Sequence, residues 1–189
     1  MDCLDNREQM GEGWSDWFGL MMQMKPGDSG ADKRGIGTYV SNQPTDDIGI
    51  RNFPYSTDMT INPVTFSMTN TFAVPHGVGS VWASMLWDLT WAYVGKYGFN
   101  PNIYSGNGGN NKVLQIVIDA LKLQPCSPSF VDGRDAILAA DQAITGGEDY
   151  CMIWEVFARR GLGLSANSGD TFSAVDQTES FDVPAPGPN

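Results

Sequence analysis

The sequence predicts a mainly α-helical fold of about five helices joined by long irregular loops. Three observations carry that expectation. Five separate segments place apolar residues at helical spacing. A glycine or proline stands at the end of each of them. No run holds the apolar–polar alternation of a half-buried strand.

Residues 8 to 24 form the first predicted helix. Trp14, Trp17, Phe18 and Met21 share an apolar face, Leu20, Met22 and Met24 widen it, and Pro26-Gly27 stops it. Met21, Met22 and Met24 read as core filler. Residues 27 to 75 show no period and are rich in Gly, Pro, Asn, Asp and Thr, the composition of loops and turns. A loop this long inside a compact domain tends to be functional. Residues 77 to 97 carry Val81, Trp82, Met85, Leu86, Leu89 and Tyr93 on one side and Trp87 and Trp91 on another, so this helix is expected to be central and buried. Gly98 ends it, and a Gly/Asn loop runs from Asn100 to Asn110. Helices are expected at 110–123 (Val113, Leu114, Val117, Ala120, Leu121), 128–144 (Phe130, Ala136, Ile137, Ala140) and 148–160 (Cys151, Ile153, Trp154, Phe157), with Gly161 as the last stop. Residues 1–163 therefore read as the folded body. Residues 164–189 read as a polar tail, on the surface or disordered, ending in a Pro-rich linker.

The 189 residues suit one compact domain or one lobe of a larger one. The hydrophobic share of 41% is enough for a real core, which excludes wholesale disorder. The net charge of −11 argues against nucleic acid and against anionic membrane surfaces as partners. No apolar run reaches the roughly 18 residues of a membrane span. No signal-peptide pattern is visible, and both ends read as cut from a longer precursor. Cys3, Cys126 and Cys151 lack metal-ligand spacing. They fit one disulfide plus an orphan, with Cys126–Cys151 the favoured pair, or three buried thiols.

Chemistry concentrates in two short stretches. Glu12 and Asp16, within Gly11-Glu12-Gly13-Trp14-Ser15-Asp16, lie at i and i+4 and project from one helix face. Like charges so placed repel, and sheltering them among Trp14, Trp17 and Phe18 requires a cation. They form either a solvated acidic face or a metal ligand with its support. A carboxylate oxygen binds zinc directly, and a second carboxylate one turn on can accept the N–H of a ligating imidazole. Gly11 and Gly13 weaken the helix by roughly 1 kcal/mol each, a cost a sequence accepts where backbone must come close to something. His76, in Val74-Pro75-His76-Gly77-Val78-Gly79, stands just before the central helix. It serves either as a structural cap or as a donor to a developing oxyanion, with the glycines leaving room for a peptide. Arg51 is either a surface residue paired with Asp58 or Asp47, or a fork for a substrate oxygen. Arg134, Arg159 and Arg160 read as helix-face salt bridges.

In order, GEGWSDWFG (11–19), GIRNFPYSTDM (49–59), PHGVGSVWASMLWDLTW (75–91), KLQPCSPSFVDGRDAIL (122–138) and WEVFARRGLG (154–163) resemble the C-terminal half of fungalysin-type peptidases, thermolysin-like zinc metalloendopeptidases. The resemblance covers roughly residues 3 to 183. It implies a helical C-terminal lobe forming one wall of a cleft, with Glu12 as a zinc ligand, Asp16 supporting a zinc-bound His, His76 as the transition-state stabiliser and Arg51 on the substrate carbonyl. It implies zinc in the complete enzyme, admits calcium at no assigned residue, and implies secretion. The chain contains no HExxH. Missing with it are two zinc ligands and the general base. Two readings follow. In one, the chain is the lobe of a metalloendopeptidase, inactive alone, whose partners are an HExxH-bearing N-terminal lobe and a peptide substrate, and which is able to form a homodimer through its exposed cleft face. In the other, it is a stand-alone, non-catalytic binding or scaffold module.

Overall fold

A computed structural model describes residues 3–185. Five α-helices form its body: α1 (Gly11–Gln23), α2 (His76–Tyr97), α3 (Gly109–Leu123), α4 (Phe130–Thr145) and α5 (Tyr150–Arg159), with a short 3-10 turn at Phe66–Asn70. The expected mainly helical lobe is present. Extended pairing among the described residues amounts to isolated bridges, such as Arg34 with Tyr55 and Ile36 with Gly49.

Helix α2 is the axis of the fold. It is buried continuously from Gly77 to Thr90, as its all-round apolar sequence requires. Helices α1, α3 and α5 pack on it, and α4 packs on α3 and α5. Trp82 joins three of these helices. Its ring meets Trp14 of α1 edge-on at 6.0 Å, Phe130 of α4 at 5.3 Å and Phe157 of α5 at 5.7 Å. Helix α3 begins at Gly108, and α4 is capped by Ser129, whose hydroxyl accepts from the Asp132 N–H. Met22 departs from the expected core: it is exposed, whereas Met21 is buried.

The long loop between α1 and α2 has almost no secondary structure, yet it is held firmly. Arg160, fully buried at the end of α5, donates to the carbonyls of Ser56, Asn62 and Val64 at 2.8–2.9 Å. The same guanidinium grips both oxygens of Asp88 in α2 at 2.8 and 2.9 Å. Arg159 adds a 2.7 Å bond to Asp88 and another to the Thr57 carbonyl. These arginines are structural, as expected, but they act across the fold rather than along a helix face. Arg134 does both: it keeps the expected ion pair with its helix neighbour Asp135, at 2.8–2.9 Å, and also donates to the Leu162 and Gly163 carbonyls and stacks on Trp154.

The cysteines form one disulfide and leave one orphan, but the favoured Cys126–Cys151 pairing is corrected. Cys3 pairs with Cys126, and Cys151 is a free, exposed thiol on α5. Residues 4–8 lie against the connection from α3 to α4, where the Leu4 N–H donates to the Cys126 carbonyl at 3.0 Å and the Asn6 amide to the Pro128 carbonyl at 2.9 Å. Sequence spacing alone does not reveal that approach. The segment after α5 packs back on the body through hydrogen bonds. The Gly163 N–H donates to the Ser180 carbonyl and the Ser180 N–H to the Gly161 carbonyl, Asn167 and Thr178 exchange backbone hydrogen bonds, and Gln177 is buried against Thr69 and Asn70. The last residues of the Pro-rich stretch, 186–189, lie outside the described residues.

Candidate metal and substrate site

The site begins with a close crossing of α1 and α2. A Cβ on Gly13 would stand 2.2 Å from the Gly79 carbonyl oxygen, and one on Gly79 would stand 2.7 Å from the Gly13 nitrogen. Only hydrogen fits at either position. Gly13 is thus the glycine whose backbone must come close to something, and its neighbour is the first turn of α2. The expectation that the glycines after His76 leave room for substrate is corrected: Gly79 makes room for α1, and Gly77 for Phe72.

That crossing brings two polar side chains together. Glu12 precedes Gly13 on α1, and His76 is the first residue of α2. His76 Nε2 lies 3.5 Å from Glu12 Oε2, and both side chains reach solvent, at 62% and 38% exposure. His76 caps no helix through its side chain.

Arg51 closes the cluster from the long loop. Its Nε and Nη2 donate to the two oxygens of Asp16, each at 2.7 Å, and Nη2 also reaches Glu12 Oε2 at 3.2 Å. Arg51 is therefore the cation that two neighbouring carboxylates on one helix face require. The alternative partners Asp47 and Asp58 are not the ones it takes. The Tyr55 hydroxyl donates to Asp16 Oδ2 as well. Asp16, Arg51 and Tyr55 are all buried, and Arg34 and Tyr55 exchange backbone hydrogen bonds that fix the loop at this point.

Protonation states follow from these contacts. The hydrogen bond to Asp16 leads in raising the Arg51 pKa, so the guanidinium is permanently charged. Burial first, then the facing Asp16 charge, raises the Tyr55 hydroxyl well above its ordinary value, so it remains a donor. A bidentate guanidinium–carboxylate pair of this kind is geometrically stiff. It sets the direction of Asp16 and, through Nη2, steadies Glu12.

All four expected residues, Glu12, Asp16, Arg51 and His76, thus meet in one place. Sequence reasoning missed Tyr55. Its signal was present, because it lies four residues after Arg51 in the same short stretch. Contacts from Arg51 and His76 both fall on Glu12 Oε2, which leaves Oε1 for another partner. A half-exposed carboxylate so placed fits the role of one metal ligand. Among the described residues, no group of three or more His, Cys, Asp or Glu side chains could hold a metal unaided. Nor, among them, is any helix long and apolar enough to cross a membrane.

Comparison with known proteins gives the family. The profile of the fungalysin metallopeptidase (M36) family matches residues 1–166. The chain is 41% identical to the extracellular metalloproteinase MEP of Neosartorya fischeri over 97% of its length. It is 42% identical to the corresponding protein of Pyricularia oryzae over 97%, and 40% identical to extracellular metalloproteinase 10 of Coccidioides posadasii over 96%. In each case it spans only 29% of the relative's length. A family profile covering most of the chain, with relatives near 40% identity across almost all of it, places this protein in the fungalysin metallopeptidase family.

Proposed function

We propose that the chain is the C-terminal lobe of a secreted zinc metalloendopeptidase and supplies one zinc ligand, Glu12, to a site completed by an HExxH-bearing lobe. The convergence of Glu12, Asp16, Arg51 and His76 carries this reading. When bound, zinc would activate water and polarise the scissile carbonyl.

The residues of this chain have separable tasks. Glu12 offers Oε1 to the metal while Arg51 keeps Oε2 in place. Asp16 has room for one further donor: a carboxylate offers about four acceptor directions, and Arg51 and Tyr55 use three. The remaining one suits the N–H of a metal-bound imidazole from the other lobe, fixing its tautomer. His76, rooted on the rigid start of α2 and exposed, is placed to donate to the oxyanion that develops on the substrate. Arg51 has Nη1 left for a peptide carbonyl once Nε and Nη2 are spent on the two carboxylates. The chain alone, without a general base or two further ligands, is inactive on this reading.

The test uses the complete enzyme carrying this lobe. Glu12→Gln lowers zinc occupancy and turnover together. His76→Ala lowers kcat by about 10²–10³, as for other oxyanion donors, with zinc content unchanged. Full zinc and full turnover in Glu12→Gln would remove Glu12 as a ligand, and zinc loss in His76→Ala would give that residue a different role.

A further inference from the structure

The Tyr55 hydroxyl has no task in packing. The Tyr55 ring is buried in the core at 1% exposure, and its backbone is fixed by the two bonds exchanged with Arg34. Phenylalanine would supply the same contacts. A buried hydroxyl costs free energy unless it is hydrogen-bonded. This one donates to Asp16 Oδ2 at 2.5 Å, a short charge-assisted bond.

The charge of Asp16 does not require that bond. Arg51 already offsets it with two donors, Nε on Oδ2 and Nη2 on Oδ1, each at 2.7 Å. What the hydroxyl changes is the balance between the two oxygens. Each carboxylate oxygen offers about two acceptor directions. Oδ2 fills both, with Arg51 Nε and Tyr55, whereas Oδ1 fills one. The acceptor left over on Asp16 therefore belongs to Oδ1.

The same bond weakens that acceptor. A carboxylate that accepts several hydrogen bonds is held in its charged form and is a poorer base. A supporting carboxylate raises the basicity of the imidazole it holds, and with it the grip on metal. Through Asp16, Tyr55 opposes that effect.

We infer that Tyr55 is a positioning residue for the metal site: its hydroxyl assigns the supporting contact to Asp16 Oδ1 and moderates it, so that the imidazole from the other lobe grips zinc less tightly than Asp16 and Arg51 alone would make it. This rests on the role proposed above for Asp16 and acts one bond behind it. A merely structural hydroxyl would behave differently. Its loss would loosen fold and metal together, whereas loss of a moderating bond loosens the fold and tightens the metal.

The test measures zinc release to excess chelating dye from the complete enzyme carrying this lobe, beside its Tm. Tyr55→Phe should lower the Tm yet slow zinc release by about three- to tenfold, part of the roughly 10–100-fold that outer partners of a metal ligand command. Asp16→Asn should speed release by about 10–100-fold, and adding Tyr55→Phe to it should change release no further. Release that is unchanged or faster in Tyr55→Phe overturns the inference, and so does an equal slowing in the Asp16→Asn background. Tyr55→Phe decides the matter even if Asp16→Asn fails to fold. Glu12→Gln keeps two failures apart. If it speeds release while Tyr55→Phe does not slow it, only the role of Tyr55 falls. If Glu12→Gln leaves release unchanged as well, this lobe does not hold the metal and the proposed function falls with it.

Discussion

Replacing Gly13 by alanine tests the foundation of the site. The added methyl would meet the Gly79 carbonyl oxygen at 2.2 Å. Ordinary non-bonded contact lies near 3.5 Å, so α1 and α2 must separate by roughly 1 Å. Forcing a methyl into a packed interface costs about 1–3 kcal/mol. Alanine returns about 1 kcal/mol in helix propensity. The net expectation is a loss of about 0–2 kcal/mol, at roughly 2–4 °C in Tm per kcal/mol for a chain of this size. Gly19 is the internal control. It lies on the same helix, and a Cβ there meets nothing within 4 Å. Gly19→Ala should therefore raise Tm, by up to about 1 kcal/mol of stability. Thermal unfolding of the two variants, followed by circular dichroism with the disulfide intact, reads the contrast. The same displacement would move Glu12 away from His76. In the complete enzyme, Gly13→Ala should then weaken zinc binding and Gly19→Ala should not. If the two alanines stabilise equally, the helix crossing does not govern the placement of Glu12.

Other outcomes follow from the same structure. Glu8 is fully buried, accepts from the Phe130 N–H and the Ser168 hydroxyl, and has its pKa pushed up to about 8, chiefly by burial. The folded protein therefore holds this proton more tightly than the unfolded chain. Stability should fall as pH rises from about 4.5 toward 8, by at most ~1.4 kcal/mol per pH unit, and level off above. Denaturant melts across that range should show the slope flattened in Glu8→Gln; an unchanged slope would exclude Glu8 as its source. Cys3→Ser opens a bridge between residues 123 apart and should cost about 2–4 kcal/mol in urea unfolding, whereas Cys151→Ser should change little. Arg51→Met strands the buried Asp16 charge and should destabilise by about 3–5 kcal/mol, so its loss of activity must be read beside a stability measurement. A well-folded, unshifted Arg51→Met would show that the pair carries no structural weight.

The helices were legible because each announces itself locally. Apolar spacing marks the body, and Gly98, Gly146 and Gly161 mark ends that the structure places within a residue or two. Glu12 and Asp16 were legible as neighbours on one face of α1, because they lie one turn apart, whereas the meeting of His76 with Glu12 was not, since it depends on the crossing of α1 with α2. The partnership of Arg51 was only half legible. Its fork suggested an oxygen partner, but nothing local says that the partner lies 35 residues earlier on α1. Buried charges were least legible of all. Glu8, Asp149 and Arg160 look like ordinary surface residues until their partners arrive, from α4, α2 and the long loop. The Cys3–Cys126 bond belongs to the same class, since burial and pairing across the fold are tertiary events with no periodic trace.

Because Arg51 already offsets the repulsion between Glu12 and Asp16, this half of the site needs no divalent ion to hold its shape. Stripping the enzyme with a chelator should then leave the lobe's fold intact, and reloading should proceed at the speed of diffusion and ligand exchange rather than of chain reorganisation.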